Sequence, residues 1–338
     1  MRELRRRNRE YSATAGLGFD DADLERRLVW IWTSPRSGST WLLRLLCHPL
    51  KLDNGPGEPG ASLGWRPSPG WSGPLDAFPV DSTFLGNHLA PVTGEVPYDE
   101  SSQPISFRSY PGMAAKPSYF FSSAYEDAWR PEIRRLALVR FQRFLERAGE
   151  LFELSDPLLL VKEVGGTHAS ELVMSLFPDS RLIFLVRDGR DVVDSQLHAS
   201  GPGGWLPLTE DLESPGARLE FVRRRCRAWL GDVATIERAL EAHPPALGRV
   251  VRYEDLLADT AGTLGPLIEW MGLRRSPRWL ERAVEANSFD RIPQERRGPG
   301  KFFRAATPGH WRSSLRPQEQ RVARELLAPK LAELGYQP

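Results

Sequence analysis

The sequence predicts an α/β chain in which a central parallel sheet is flanked by helices and covered by one long loop or lid. Three observations carry this. Four short runs, 28–33 "LVWIWT", 158–162 "LLLVK", 181–186 "RLIFLV" and 248–253 "GRVVRY", have the length and apolar character of buried parallel strands. Helical patterns lie between or after them at 40–48, 131–152, 169–176, 189–199, 216–241 and 260–271, the alternation expected of a parallel sheet. The stretch 51–118 breaks that alternation: it is rich in Gly and Pro, carries Trp65 and Trp71, and is too long for a simple connection.

Taken in order, residues 1–26 read as a polar arm, and 27–338 as a single domain whose 51–125 region supplies the lid. A last helix is expected at about 316–334, after the candidate caps Ser313 and Ser314. In the 216–241 helix, Cys226 belongs to the apolar series Leu219, Val222, Cys226, Trp229, Val233 and Ile236, so it reads as core. Two cysteines in 338 residues are too few for a disulfide scaffold.

Composition narrows the function. With 41% hydrophobic and 10% aromatic residues the chain can bury a large core. A formal net charge of +1 argues against bulk attraction to nucleic acid or membranes. Only five of the 45 basic residues are lysine, so a single arginine means little without a motif around it. The first residues lack the apolar segment of a signal peptide, and no run of about 18 apolar residues offers a membrane span. The expectation is a soluble, cytoplasmic protein. No His/Cys/Asp/Glu spacing suggests a metal site.

The segment "VWIWTSPRSGSTWLLRLL", Val29 to Leu46, runs from strand into helix through small polar residues. Laid on the phosphate-binding pattern G-x-x-x-x-G-K-[ST], Gly38 takes the second glycine and Thr40 the final hydroxyl, while Thr33 replaces the first glycine and Ser39 the lysine. Backbone amides here can wrap an anion at a helix N-terminus. Arg36 supplies charge from within the loop. The expected ligand is phosphate-like, but not a triphosphate–magnesium complex.

A second segment, "SRLIFLVRDGRDVVDSQLHAS", places Arg187 at a strand end and Ser195 eight residues on, about two helical turns away. Arg187 offers a fork of donors for a phosphate and Ser195 a neutral one. Arg190 and the acids at 188, 191 and 194 read as salt-bridged neighbours.

Together the two segments resemble the cytosolic-type sulfotransferase family, including its bacterial small-molecule members, which uses the donor 3′-phosphoadenosine 5′-phosphosulfate (PAPS) and releases 3′-phosphoadenosine 5′-phosphate (PAP). "TSPRSGSTW" is similar to the family's 5′-phosphosulfate loop, close to Y-P-K-S-G-T-T-W, and "LVRDGRDVVDS" to its 3′-phosphate segment, R-[ND]-P-[KR]-D-V-x-x-S. The resemblance implies a P-loop-NTPase-like fold, and a donor with two separate anions explains two anion sites without the usual loop lysine. It also implies donor contacts from Arg36, Ser37, Gly38, Ser39, Thr40 and Trp41, and from Arg187 and Ser195, with Arg36 also catalytic, stabilising the leaving group together with Ser39 and the loop amides. "RYEDL" resembles the strand-ending Y-E-D and puts Tyr253 near the adenine; "NSFDRI" makes Phe289 a stacking partner; "FRAATPGHW" resembles R-K-G-x-x-G-x-W and gives Arg304 a 3′-phosphate contact. Three departures stand out: Arg36 for the loop lysine, Gly189 for the usual proline, and Ala305-Ala306 for Lys-Gly.

"FLGNHLAPV" resembles the family's K-T-H-L-P and implies that His88 is the catalytic base, with Gly86 where a lysine often stands. Lys162, at a strand end beside a Gly-Gly turn, is the candidate second cation, and its bland reading is a salt bridge with Glu163. His168 is the weaker alternative base. Trp65, Trp71, Phe78, Phe84, Tyr119 and Phe120 are available as acceptor walls or as core. The acceptor expected is a small hydrophobic hydroxyl compound rather than a sulfated polysaccharide, because the stretch carries no dense arginine face. Two rivals stay open: a small-molecule kinase with a degenerate P-loop, and a nucleotide-binding protein without turnover.

Overall fold

The computed structural model describes residues 20–47, 50–52, 65–67, 77–81, 85, 89, 115–152, 158–164, 166–205, 212–304 and 306–337. In chain order its elements are α1 (Asp21–Arg26), β1 (Leu28–Thr33), α2 (Ser39–Leu46), β2 (Leu50–Leu52), β3 (Trp65–Pro67), β4 (Ala77–Asp81), α3 (Glu126–Phe152), β5 (Leu158–Val164), α4 (Ser170–Leu176), β6 (Arg181–Val186) and α5 (Gly189–Ser200). Then follow α6 (Pro215–Ala242), β7 (Gly248–Arg252), α7 (Tyr253–Ala258), α8 (Thr260–Trp270), α9 (Pro277–Ala286), α10 (Trp311–Ser314) and α11 (Pro317–Glu333).

Five strands form one sheet in the order β4-β5-β1-β6-β7, and every pairing is parallel. β1 is central and fully buried, so all six of its residues can be apolar or small. Its side chains alternate between two cores. Leu28, Trp30 and Trp32 join the cluster under α3, α4, α5, α6 and α11, whereas Val29 and Ile31 join the one under α2, α8 and α9. Trp30 packs edge-on against Phe141 of α3, centroids 5.5 Å apart, which fixes that long helix against the sheet. Cys226 is buried in α6 as expected, and burial pushes its thiol up to about 12.

Three expectations need correction. The 51–118 stretch is not all loop: β4 lies within it as an edge strand of the main sheet, and β2 and β3 pair antiparallel. Pro79 masked β4, yet proline is tolerated in an edge strand, where one side carries no partner to hydrogen-bond. The polar arm ends in helix α1, whose Leu24 is buried and whose Glu25 accepts the Asp179 amide at 2.7 Å and pairs with Arg134 at 2.6 Å. Ser313 and Ser314 do not cap α11. They close α10, and α11 starts at Pro317, with Glu319 reaching back to the Arg316 amide at 2.9 Å. Among the described residues, no helix is long and apolar enough to cross a membrane.

Candidate active site

The carboxyl end of the sheet carries the site, built around the loop between β1 and α2. Arg36 and Gly38 both take positive φ, 76° and 91°, which coils the chain tightly before α2. Gly38 is required twice over: a Cβ there would also lie 2.5 Å from the Tyr253 ring. The loop's hydroxyls secure its framework. Thr33 Oγ1 donates to the Leu185 carbonyl at 2.7 Å, and Ser37 Oγ to the Ser34 carbonyl at 2.8 Å. Ser34 Oγ donates to Asp232 Oδ2, and Thr167 Oγ1 to Asp232 Oδ1, each at 2.5 Å. One carboxylate on α6 thereby ties the β1 loop to the turn that follows β5. No side chain caps α2 at Gly38, and the Trp41 and Leu42 amides donate to the Gly38 carbonyl, so it is the Ser39 and Thr40 amides that remain for an anion.

Lys162, within β5 and two residues before its end, is buried and donates from Nζ to Thr40 Oγ1 at 3.2 Å. The ammonium thus stands beside the first turn of α2. The sequence could not decide between this and a salt bridge with Glu163.

At the second strand end, Arg187 donates to the Arg36 carbonyl at 3.1 Å, and its guanidinium lies 4.5 Å from the centre of the Tyr253 ring. Its buried Nε has no hydrogen-bond partner. Arg36 crosses toward this segment: Nε donates to Ser195 Oγ at 3.2 Å and Nη2 to the Phe302 carbonyl at 2.7 Å. The Phe302 and Trp205 rings flank it at 4.6 and 5.3 Å. Burial, with Arg187 and Arg304 nearby, lowers the Arg36 guanidinium to about 10, still protonated at neutral pH. Arg304 pairs with buried Asp194, which also accepts from Ser314 Oγ at 2.5 Å. Burial alone would raise Asp194, but the Arg304 hydrogen bond and charge outweigh it and hold it below the usual carboxylate range. The Arg304 Nη1 is buried and unpartnered. Each of Arg187 and Arg304 thus carries one guanidinium nitrogen without a protein partner.

A cavity of about 280 Å³ brings these groups together. Of the site residues expected from the sequence, Arg36, Gly38, Ser39, Thr40, Trp41, Lys162, Arg187, Ser195, Tyr253, Phe289 and Arg304 line it. Ser37 is turned into the loop and does not. Arg44, Arg187, Arg304, Arg36 and Lys162 supply cations, and no carboxylate is among the lining residues described. His88 lies outside the described residues, as do Gly86, Trp71, Phe84 and Ala305. His168 does not line the cavity, and burial lowers its imidazole below the usual histidine value. Phe120 is 82% exposed, and neither it nor Tyr119 lines the cavity.

Sequence reading missed Arg44, Trp205, Asn287, Phe302 and Phe303 as lining residues. Arg44 had a signal: it lies three residues after Trp41, on the same face of α2. Asn287 accepts the Trp41 Nε1 hydrogen through its backbone carbonyl at 2.9 Å, a contact that no side-chain motif encodes.

Solved structures similar to the chain include mouse sulfotransferase SULT7A1 complexed with PAP, 13% identical, covering 91% of this chain and 86% of that one with a TM-score of 0.49. They also include the sulfotransferase domain from the curacin biosynthetic pathway (17% identical, 91% and 97% covered, TM-score 0.42). Sulfotransferase STF9 from Mycobacterium avium is another (14% identical, 92% and 77% covered, TM-score 0.43). No curated protein sequence matches the chain. The family model described as the sulfotransferase family matches residues 29–277, which span β1, both strand-end anion segments and the strand before Tyr253. By that match the chain belongs to the sulfotransferase family.

Proposed function

We propose that this sulfotransferase moves a sulfuryl group from PAPS to a hydroxyl of a small, hydrophobic acceptor, releasing PAP. The observation that carries the reading is the convergence of two separated anion-binding segments on one carboxylate-free cavity. A donor bearing a 5′-phosphosulfate and a 3′-phosphate needs that arrangement; a simple monophosphate does not.

In this reading the α2 amides, Ser39, Thr40 and Lys162 hold the 5′ end, and Arg187, Ser195 and Arg304 hold the 3′-phosphate. Trp41, Tyr253 and Phe289 flank the base. Arg36, hydrogen-bonded to Ser195, serves donor binding and, with Ser39 and the loop amides, stabilises the leaving group, where Lys162 is the second cation. The acceptor oxygen attacks sulfur in line, a new S–O bond forms, and the bond from sulfur to the 5′-phosphate oxygen breaks. Charge then builds on the departing phosphate, where preorganised donors stabilise it. His88 takes the acceptor's proton, a contribution typically worth about 10²–10⁴ in rate. The catalytic domain is 27–338, with 51–125 forming the acceptor side, in a cytoplasmic enzyme.

The test is single-turnover transfer of labelled sulfate from PAPS to a panel of phenolic, sterol and aliphatic alcohols. Transfer to at least one is expected. His88→Ala is expected to lower kcat about 100-fold or more while leaving PAP affinity unchanged. A kcat near wild type removes His88 as the base, and PAP binding without transfer to any acceptor favours a protein without turnover.

A further inference from the structure

We propose that Arg44 is the residue through which this site recognises the nucleobase, by donating a hydrogen bond to a purine ring nitrogen. The inference rests on the donor reading above and extends it to a position that the family motif leaves unassigned.

Arg44 lines the same cavity as the anion-binding groups. Arg44 follows Trp41 by one turn of α2. The Phe303 ring lies 6.0 Å from its guanidinium carbon, and Phe289 and Ile292 line the cavity with it. The cavity therefore offers flat and branched apolar walls suited to a planar ring.

Within those walls Arg44 Nε is buried and has no hydrogen-bond partner. A buried donor left unmade is costly, so the ligand that fills the cavity should bring an acceptor. Arginine has five donors and no acceptor, so it cannot read the exocyclic amine of adenine, which donates. It can read the ring nitrogens, which carry lone pairs. A second phosphate is the other acceptor such a donor could take, but Arg187 and Arg304 already offer unpartnered guanidinium nitrogens to the phosphates. Arg44→Met keeps length and apolar packing while removing the donors, which makes it the informative substitution.

The experiment is a ligand–variant cycle by calorimetry. Wild type and Arg44→Met are titrated with adenosine 3′,5′-bisphosphate and with its 1-deaza, 3-deaza and 7-deaza analogues. Wild type should bind one of the three analogues about 10- to 100-fold more weakly than the parent, the range for a hydrogen bond to a charged group. Arg44→Met should bind the parent as weakly as wild type binds that analogue, and should no longer distinguish the two. Equal binding of all four ligands by wild type overturns the inference without needing the variant. So does a variant that loses affinity for all four in parallel, or for none. Failure of wild type to bind the bisphosphate at all would take down the donor reading and this inference with it. Good binding of the bisphosphate with no sensitivity to ring nitrogens takes down this inference alone.

Discussion

Two strand-to-helix junctions meet at this site and solve the same problem differently. At 34–39 the helix N-terminus is left open: Gly38 takes the cap position in a left-handed conformation and supplies no side-chain cap. At 187–189 the helix N-terminus is closed: Asp188 accepts the Arg190 amide at 2.9 Å, and its own amide donates to Glu254 Oε1 at 3.1 Å. Asp188 also pairs with the buried Arg190 at 2.8 Å. The first junction therefore offers an anion its backbone and helix dipole, and the second only a side chain, Arg187. Sequence reading assigned both segments to anions without separating a backbone cradle from a side-chain site. The lesson is that an Asp in the cap position converts a potential anion cradle into a rigid mount for the arginine before it.

Substituting the two glycines tests that difference most strongly. Gly38→Ala places a Cβ in a left-handed position and against the Tyr253 ring at 2.5 Å. With the loop amides displaced, PAP affinity should fall about 100-fold, equivalent to about 3 kcal/mol. Gly189→Ala instead drives a Cβ to 2.7 Å from the Trp229 ring inside the core. Overpacking there should cost about 1–3 kcal/mol of stability in denaturant titration, with PAP affinity kept within about threefold. If Gly189→Ala were the variant that lost binding, the second junction would be a backbone cradle after all.

Arg187→Ala comes next in size. PAP affinity should drop about 10- to 100-fold, and affinity for adenosine 5′-monophosphate should barely change, since a side-chain donor serves one anion only. Equal losses for both nucleotides would mean that the two junctions share one anion.

The smallest effect concerns pH. His198, near the end of α5, contacts Asp194 and Ser314, and burial together with Arg304 lowers its imidazole below the ordinary value. A histidine with a lowered folded-state value is protonated more readily when unfolded. Stability is therefore fully present above the unfolded value of about 6.5 and declines as pH falls below it. His198→Gln should slightly flatten the fall of the unfolding midpoint below about pH 6.5. A steeper profile in the variant would reverse the sign assigned to His198.

Much of this was legible in the chain because buried parallel strands announce themselves. The runs at 28–33 and 181–186 match β1 and β6 end to end, since both faces are covered and continuous hydrophobicity is their only solution. The short helices α7 and α9 were not foreseen: Tyr253–Ala258 follows a strand without a turn residue, and Pro277–Ala286 lies in a stretch given no element. The expected donor residues line one cavity because their motifs pair a residue type with a strand end, and strand ends in a parallel sheet converge. Phe302 and Phe303 reach the same cavity from far along the chain, and Asn287 contributes through its carbonyl. Tertiary packing decides such neighbours, and no local pattern records them.

The measurement that tests the central claim most directly is calorimetric titration of PAP against ATP–magnesium. Two anion sites of different construction on one cavity predict micromolar binding of PAP and little response to ATP–magnesium. Preference for ATP–magnesium would contradict the account, because the 3′-phosphate site would then be unused and the open loop would be holding a triphosphate.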